Sequence, residues 1–265
     1  MRKKKVTLSD GTRISAILSS EAIVLDDHVE GYFDHGITIE DGDTIFDIGA
    51  NVGVFGVRAL QKGNHITVFA FEPIPTIFAC LKENANDFGA DRFIPLNCGV
   101  SSRNGETTFT YYPNSPALST SKPQNWTQQE LHDAVEGSLK HPPKNMWYIK
   151  YLPSFVASIF AKRMRNHSQE YTCALRTISD VIAEYKIEQI GLLKIDCEGA
   201  EYDCLEGIQK EDWDKIKQVV VEVHNKNDAV EKVKYYLQNM GLTKQVVEQE
   251  RALTNTSLYN IYARR

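Results

Sequence analysis

Long apolar runs are missing from this sequence, since none approaches the roughly 18 residues that a membrane-spanning helix requires. Cysteine is sparse: five in 265 residues, at positions 80, 98, 173, 197 and 204, an odd number with no C-x-x-C pair. That excludes a disulfide framework and a zinc knuckle, and favours reduced, mostly buried thiols in a cytoplasmic protein. Positive charge is also short. A formal net charge of −5 argues against nucleic acid as a partner. The basic start MRKKKV runs into polar TLSDGT rather than an apolar segment, so no signal peptide is expected.

What is present is an alternation of strand-like and helix-like segments. Lys5–Leu8 and Arg13–Leu18 flank a Ser9–Asp10–Gly11 turn, and Glu21–Phe33 has helical spacing. Strands are then expected at Thr44–Ile48, Ile66–Phe71, Arg92–Asn97, Ile190–Ile195 and Gln218–Val223. Helices are expected at Gly53–Gln61, Pro75–Phe88, Ile178–Tyr185, Ala200–Ile208 and Asp228–Met240. Such alternation predicts an α/β fold built on a mostly parallel sheet. Thr243–Glu248 and Ser257–Ala263 read as a terminal antiparallel hairpin.

The alternation breaks between Tyr112 and Tyr171. A helix near Gln128–Leu139 is followed by a stretch, Gly137 to Gln169, with six Lys and Arg and no Asp or Glu. An insertion of this length inside a compact domain predicts a substrate-covering lid over residues 113–171 of a single domain. Within it, Trp126, Trp147, Tyr148 and Tyr151 suit either a lid core or the wall of an apolar tunnel.

Candidate ligand-binding residues cluster at the ends of the expected strands. The first strand ends in Asp47–Ile48–Gly49–Ala50–Asn51–Val52–Gly53. This is G-x-x-x-G, without the middle glycine of a dinucleotide fingerprint and without a phosphate-loop lysine. The second strand ends in Glu72–Pro73, about 20 residues on, where a carboxylate can accept both hydroxyls of a ribose. Glycines and a carboxylate with no phosphate grip fit S-adenosylmethionine, which carries a ribose, an adenine and a sulfonium. Tight strand–helix packing for the glycines and a helix cap for Glu72 are the simpler alternatives to each alone. Cys98–Gly99, ending the third strand, would lie near the adenine. Asp196 ends the fourth strand within LLKIDCEGAE, where Glu198 and Glu201 read as acidic helix-start residues. The fifth strand, VVVEVHN, puts Glu222 and His224 two residues apart, on one side of the strand.

In this order, DIGANVG, AFEPIP, LLKIDCEGAE and VVVEVHN resemble the FkbM-type family of S-adenosylmethionine-dependent methyltransferases, from about His28 to Arg265. The flanking phrases YFDHGI, NCGVSSRNGETTFTYYP and SLYNIYARR resemble the branch associated with polyketide and nonribosomal peptide synthases. The resemblance implies a class I, Rossmann-like fold of seven strands, with the terminal hairpin beside the fifth. It also implies O-methylation of an intermediate bound to an acyl or peptidyl carrier protein. A sugar or free natural-product acceptor, or a catalytically silent cofactor-binding module, remains an alternative.

Two mechanisms fit the candidate residues. His224 could act as general base, oriented by Glu222 or Asp196. Alternatively, Asp196, Glu222 and His224 could hold a divalent metal that acidifies the acceptor hydroxyl. The acid-free segment 137–169 is expected to dock an acidic carrier protein, with a membrane-surface helix as the second reading.

Overall fold

The computed structural model describes residues 3–123 and 126–265. A hairpin of β1 (Lys4–Thr7) and β2 (Arg13–Ala16) leads into helix α1 (Ser19–Val29). The helical spacing expected to Phe33 is completed by a 3-10 turn, Glu30–Phe33. Strand β3 (Thr44–Ile48), helix α2 (Val54–Gln61), strand β4 (Thr67–Phe71), helix α3 (Pro75–Gly89) and strand β5 (Phe93–Leu96) follow. Their parallel pairing is the expected one. Pro75 opens α3, where its missing N–H has no helical partner to lose.

Next come short β6 (Gly99–Val100) and β7 (Gly105–Tyr111), the insertion helices α4 (Gln128–Lys140) and α5 (Phe155–Met164), and β8 (Gln169–Arg176). Strands β6, β8 and β7 form a second, three-stranded sheet that the sequence patterns did not indicate. Thr127 and Glu130 close a capping box at the start of α4, satisfying two backbone donors reciprocally. The remaining elements are α6 (Ile178–Tyr185), β9 (Leu192–Ile195), α7 (Glu201–Glu206), β10 (Gln218–His224), α8 (Ala229–Asn239), β11 (Lys244–Glu248) and β12 (Leu258–Arg264). The main sheet has the order β11-β12-β10-β9-β3-β4-β5. β12 runs antiparallel between β10 and β11, so the terminal hairpin inserts beside the fifth parallel strand. This is the mostly parallel seven-stranded class I arrangement.

Burial on both faces explains the near-continuous apolar strands. One core lies between the sheet and α1–α3, including Ile45, Val57, Ile66 and Leu81. A second lies beneath α6–α8, including Phe46, Phe71, Trp213 and Leu237. A third, smaller cluster joins Tyr112, Trp126, Leu131 and Ala161 of the insertion to Leu253 and Leu258. No helix among the described residues is long and apolar enough to cross a membrane.

The glycine turn after β3 has a backbone cause. Gly49 has φ +73°, and a Cβ there would sit 1.7 Å from the carbonyl oxygen of Asp196. Gly53 has φ +91°, and its added Cβ would meet Leu81 at 2.7 Å. Both glycines therefore bring protein chain against protein chain: the ends of β3 and β9 in one case, α2 and α3 in the other.

Candidate active site

The carboxyl ends of the parallel strands open into a cavity of about 730 Å³. Such a crevice is the usual ligand position in an open α/β sheet. Its floor comes from the loops after β3, β4, β6 and β9; its roof comes from α1 and the inner face of the insertion. Gly49, Ala50, Asn51, Glu72, Pro73, Gly99, Asp196 and Glu222 line it, as expected from the sequence.

Four expected residues do not line it. Asp47 is fully buried below the floor, where its carboxylate meets Lys194 Nζ at 3.1 Å. Gly53 sits in the α2–α3 packing. Cys98 belongs to the core beneath α6–α8, and burial pushes its thiol up to about 11. His224 is buried behind the cavity, edge-on to the Trp126 ring at 5.1 Å between centroids.

The partner expected for His224 is also corrected. Its Nε2 lies 3.0 Å from Glu198 Oε2, rather than against Asp196 or Glu222. Register explains the difference. β9 ends at Ile195, opposite Val221, so His224 extends three residues beyond its parallel neighbour. There it meets the loop after β9, where Glu198 turns back with φ +57°. Thr120 Oγ1 donates to the Glu198 carbonyl oxygen at 2.7 Å, and Trp126 Nε1 donates to Glu198 Oε2 at 2.7 Å. Glu198 itself lines the cavity. Burial lowers the His224 pKa, but the Glu198 carboxylate outweighs it and leaves the value raised.

The metal set expected from Asp196, Glu222 and His224 does not form. Their donor atoms do not come together; among the described residues the one such grouping is His132, Asp133 and Glu136 on α4. These residues do not fit a divalent ion.

Lys194 is the side chain the sequence reading missed. It is almost fully buried, and donates to the carbonyl oxygens of Ile48 at 3.3 Å and Gly49 at 3.1 Å. Burial opposes its charge, yet Asp47 and Asp196 hold its pKa above the ordinary value. Tyr32 donates its hydroxyl to Asp196 Oδ2 at 3.2 Å. Burial, together with Asp196, raises the pKa of Glu222 well above the carboxylate range. Glu72 accepts from the N–H groups of Ile74 at 2.8 Å and Asn51 at 3.1 Å, while burial raises it to about 8. Glu21 of α1, also unexpected, lines the roof and is raised by burial to about 7.

A sequence profile of the methyltransferase FkbM domain matches residues 47–242. This chain belongs to the FkbM methyltransferase family. It is a methyltransferase, and the family uses S-adenosylmethionine. The 31-O-demethyl-FK506 methyltransferase FkbM of Streptomyces tacrolimicus is 32% identical over 234 residues, covering 88% of this chain and 85% of that protein. Methyltransferase 1 of Beauveria bassiana is 27% identical, with 99% of this chain and 98% of that protein matched. AMB antimetabolite synthetase AmbE of Pseudomonas aeruginosa is 29% identical over 98% of this FkbM-family chain, which spans 12% of the synthetase.

The cavity fits the family's cofactor. Glu72 keeps a free lone pair on each oxygen for ribose hydroxyls after its two backbone bonds. The carboxylates of Asp196 and Glu198 stand where a sulfonium would be favoured.

Proposed function

We propose that this FkbM-family enzyme methylates a hydroxyl of an apolar natural-product intermediate. One observation carries the reading: a single cavity joins a carboxylate-rich floor to the apolar inner faces of Leu139, Met146, Ile149 and Met164. The floor suits a cationic cofactor and a reacting hydroxyl, and the roof suits a hydrocarbon framework.

S-adenosylmethionine supplies an activated methyl group on a sulfonium leaving group. Glu72 grips the ribose; Tyr32 and Lys194 hold Asp196 in place. Glu198 faces the acceptor and takes its proton as the new C–O bond forms. His224, behind Glu198, positions that carboxylate. Holding the acceptor close and aligned supplies much of the acceleration, at its upper end roughly 7–11 kcal/mol.

The Streptomyces tacrolimicus relative is named for the compound 31-O-demethyl-FK506, which supports an untethered acceptor. The match inside a synthetase supports the carrier-bound delivery expected from the sequence. The test offers one hydroxylated acyl chain in both forms, free and thioester-linked to a carrier protein, with labelled cofactor. An O-methyl product from either form, located by NMR, supports the reading, and the relative rates identify the mode of delivery. Methyl transfer confined to nitrogen or carbon would overturn it.

Glu72 gives a second expectation. A carboxylate accepts ribose hydroxyl protons better than a carboxylic acid does, so cofactor affinity should rise as pH rises through about 8. Glu72→Gln should weaken binding by roughly tenfold or more and flatten the pH dependence, since a hydrogen bond to a charged group is worth about 1.5–3 kcal/mol. Titration calorimetry across that range checks both effects.

A further inference from the structure

The outer face of the insertion is unlike the rest of the surface. Trp147 is 58% exposed, Tyr151 71% and Phe155 64%, with Tyr148 and Ile159 beside them. These side chains lie on the turns at Lys144–Tyr151 and on α5, whose small Ala157 and Ala161 are buried. Lys144, Lys150, Lys162 and Arg163 stand on the same two elements. None of the four has a carboxylate partner among the described residues. Arg165 is different: its guanidinium donates inward to the carbonyl oxygens of Trp126 at 3.0 Å and Pro123 at 2.9 Å, so it belongs to the insertion's own structure.

We infer that this face seats the enzyme on an anionic lipid bilayer. Three observations converge on a lipid surface. The exposed rings are Trp and Tyr as well as Phe, the residues that settle at the level of lipid headgroups. The cations around them, free of carboxylate partners among the described residues, have long apolar stems that let the charge reach phosphates while the rings sink. With a net charge of −5, the molecule as a whole is repelled by an anionic membrane, so this acid-free face fixes a single orientation.

The cavity gives that orientation a use. Leu152 and Phe160 line it and are also exposed, 43% and 55%, so its apolar wall continues onto the membrane-facing surface. Resting on the apolar acceptor proposed above, the seat lets an acceptor dissolved in the bilayer reach Glu198 without crossing water.

The test is co-sedimentation of the whole protein with vesicles of phosphatidylcholine containing about 30% phosphatidylglycerol, with pure phosphatidylcholine alongside. The wild type should sediment with the anionic vesicles, and binding should weaken as salt screens the cations. The triple variant Trp147→Ser/Tyr151→Ser/Phe155→Ser should bind at least tenfold more weakly. Its melting temperature and cofactor affinity should be unchanged, because none of the three lines the cavity. Absence of wild-type binding, or equal binding by the variant, overturns the inference. So does wild-type binding to an acidic acyl carrier protein that the triple variant loses while vesicles are ignored. Vesicle binding by a protein that methylates no hydroxyl would uphold the seat and remove only the proposed acceptor.

Discussion

Lys194→Ala should destabilise the protein by about 3–5 kcal/mol, the cost of breaking a buried ion pair from one side. The lysine stands between Asp47 and Asp196 and donates to two carbonyl oxygens of the glycine turn. Without it, Asp47 remains as a carboxylate in an apolar core, and the backbone contact between the ends of β3 and β9 loses its clamp. Burial already raises the Asp47 pKa with the lysine in place. An acid whose folded pKa lies above its unfolded one destabilises the fold at pH values above the unfolded pKa. That penalty is relieved as pH falls through the folded value. The deficit of Lys194→Ala should therefore shrink in mild acid. Lys194→Met combined with Asp47→Asn should recover much of the loss, because the charge and its partner leave together. Urea unfolding at several pH values measures all three effects. A Lys194→Ala variant within about 1 kcal/mol of wild type would contradict the clamp.

The second large effect is catalytic. Glu198→Gln should lower kcat by about 10²–10⁴-fold, the usual contribution of a positioned acid or base. His224→Asn should act differently. A protonated His224 donates to Glu198 Oε2 at 3.0 Å and occupies that oxygen. As pH rises through the raised pKa of His224, its proton is lost, its hold on the Glu198 oxygen loosens and kcat should climb. His224→Asn should abolish that climb. The same shift has a stability sign. The pair's contribution is fully present below the unfolded histidine pKa of about 6.5, and is lost as pH rises through the higher folded value. Rate profiles and melting curves over the same pH range separate the two consequences. An unchanged kcat for Glu198→Gln would show that another group takes the proton.

The sheet was legible because buried parallel strands are apolar along their whole length and the intervening helices keep a 3.6-residue period. Residues at strand ends were legible for the same reason: where β4 and β9 stop, Glu72 and Asp196 must face the crevice. Lateral position beyond the strand ends was not. Whether His224 meets Asp196 or Glu198 depends on how far β10 outruns β9, which a period of two cannot report. Lys194 leaves one signal in the sequence, a single charge inside the apolar run LLKI. Glu198 left none, since an acidic residue before a helix suits a cap equally well. The glycines are legible as a close-approach turn, and packing accounts for both: Gly49 gives way to Asp196 while lining the cavity, and Gly53 gives way to Leu81.

The ladder between β7 and β8 carries one more consequence. It pairs Gly105 with Leu175 through to Tyr111 with Gln169, so the chain leaves the core and re-enters it at a single point. Residues 112–168 are thus a cassette with neighbouring ends. Grafting a different segment onto the same rungs should change the acceptor half of the cavity and leave in place the cofactor half, built from the loops after β3, β4 and β9.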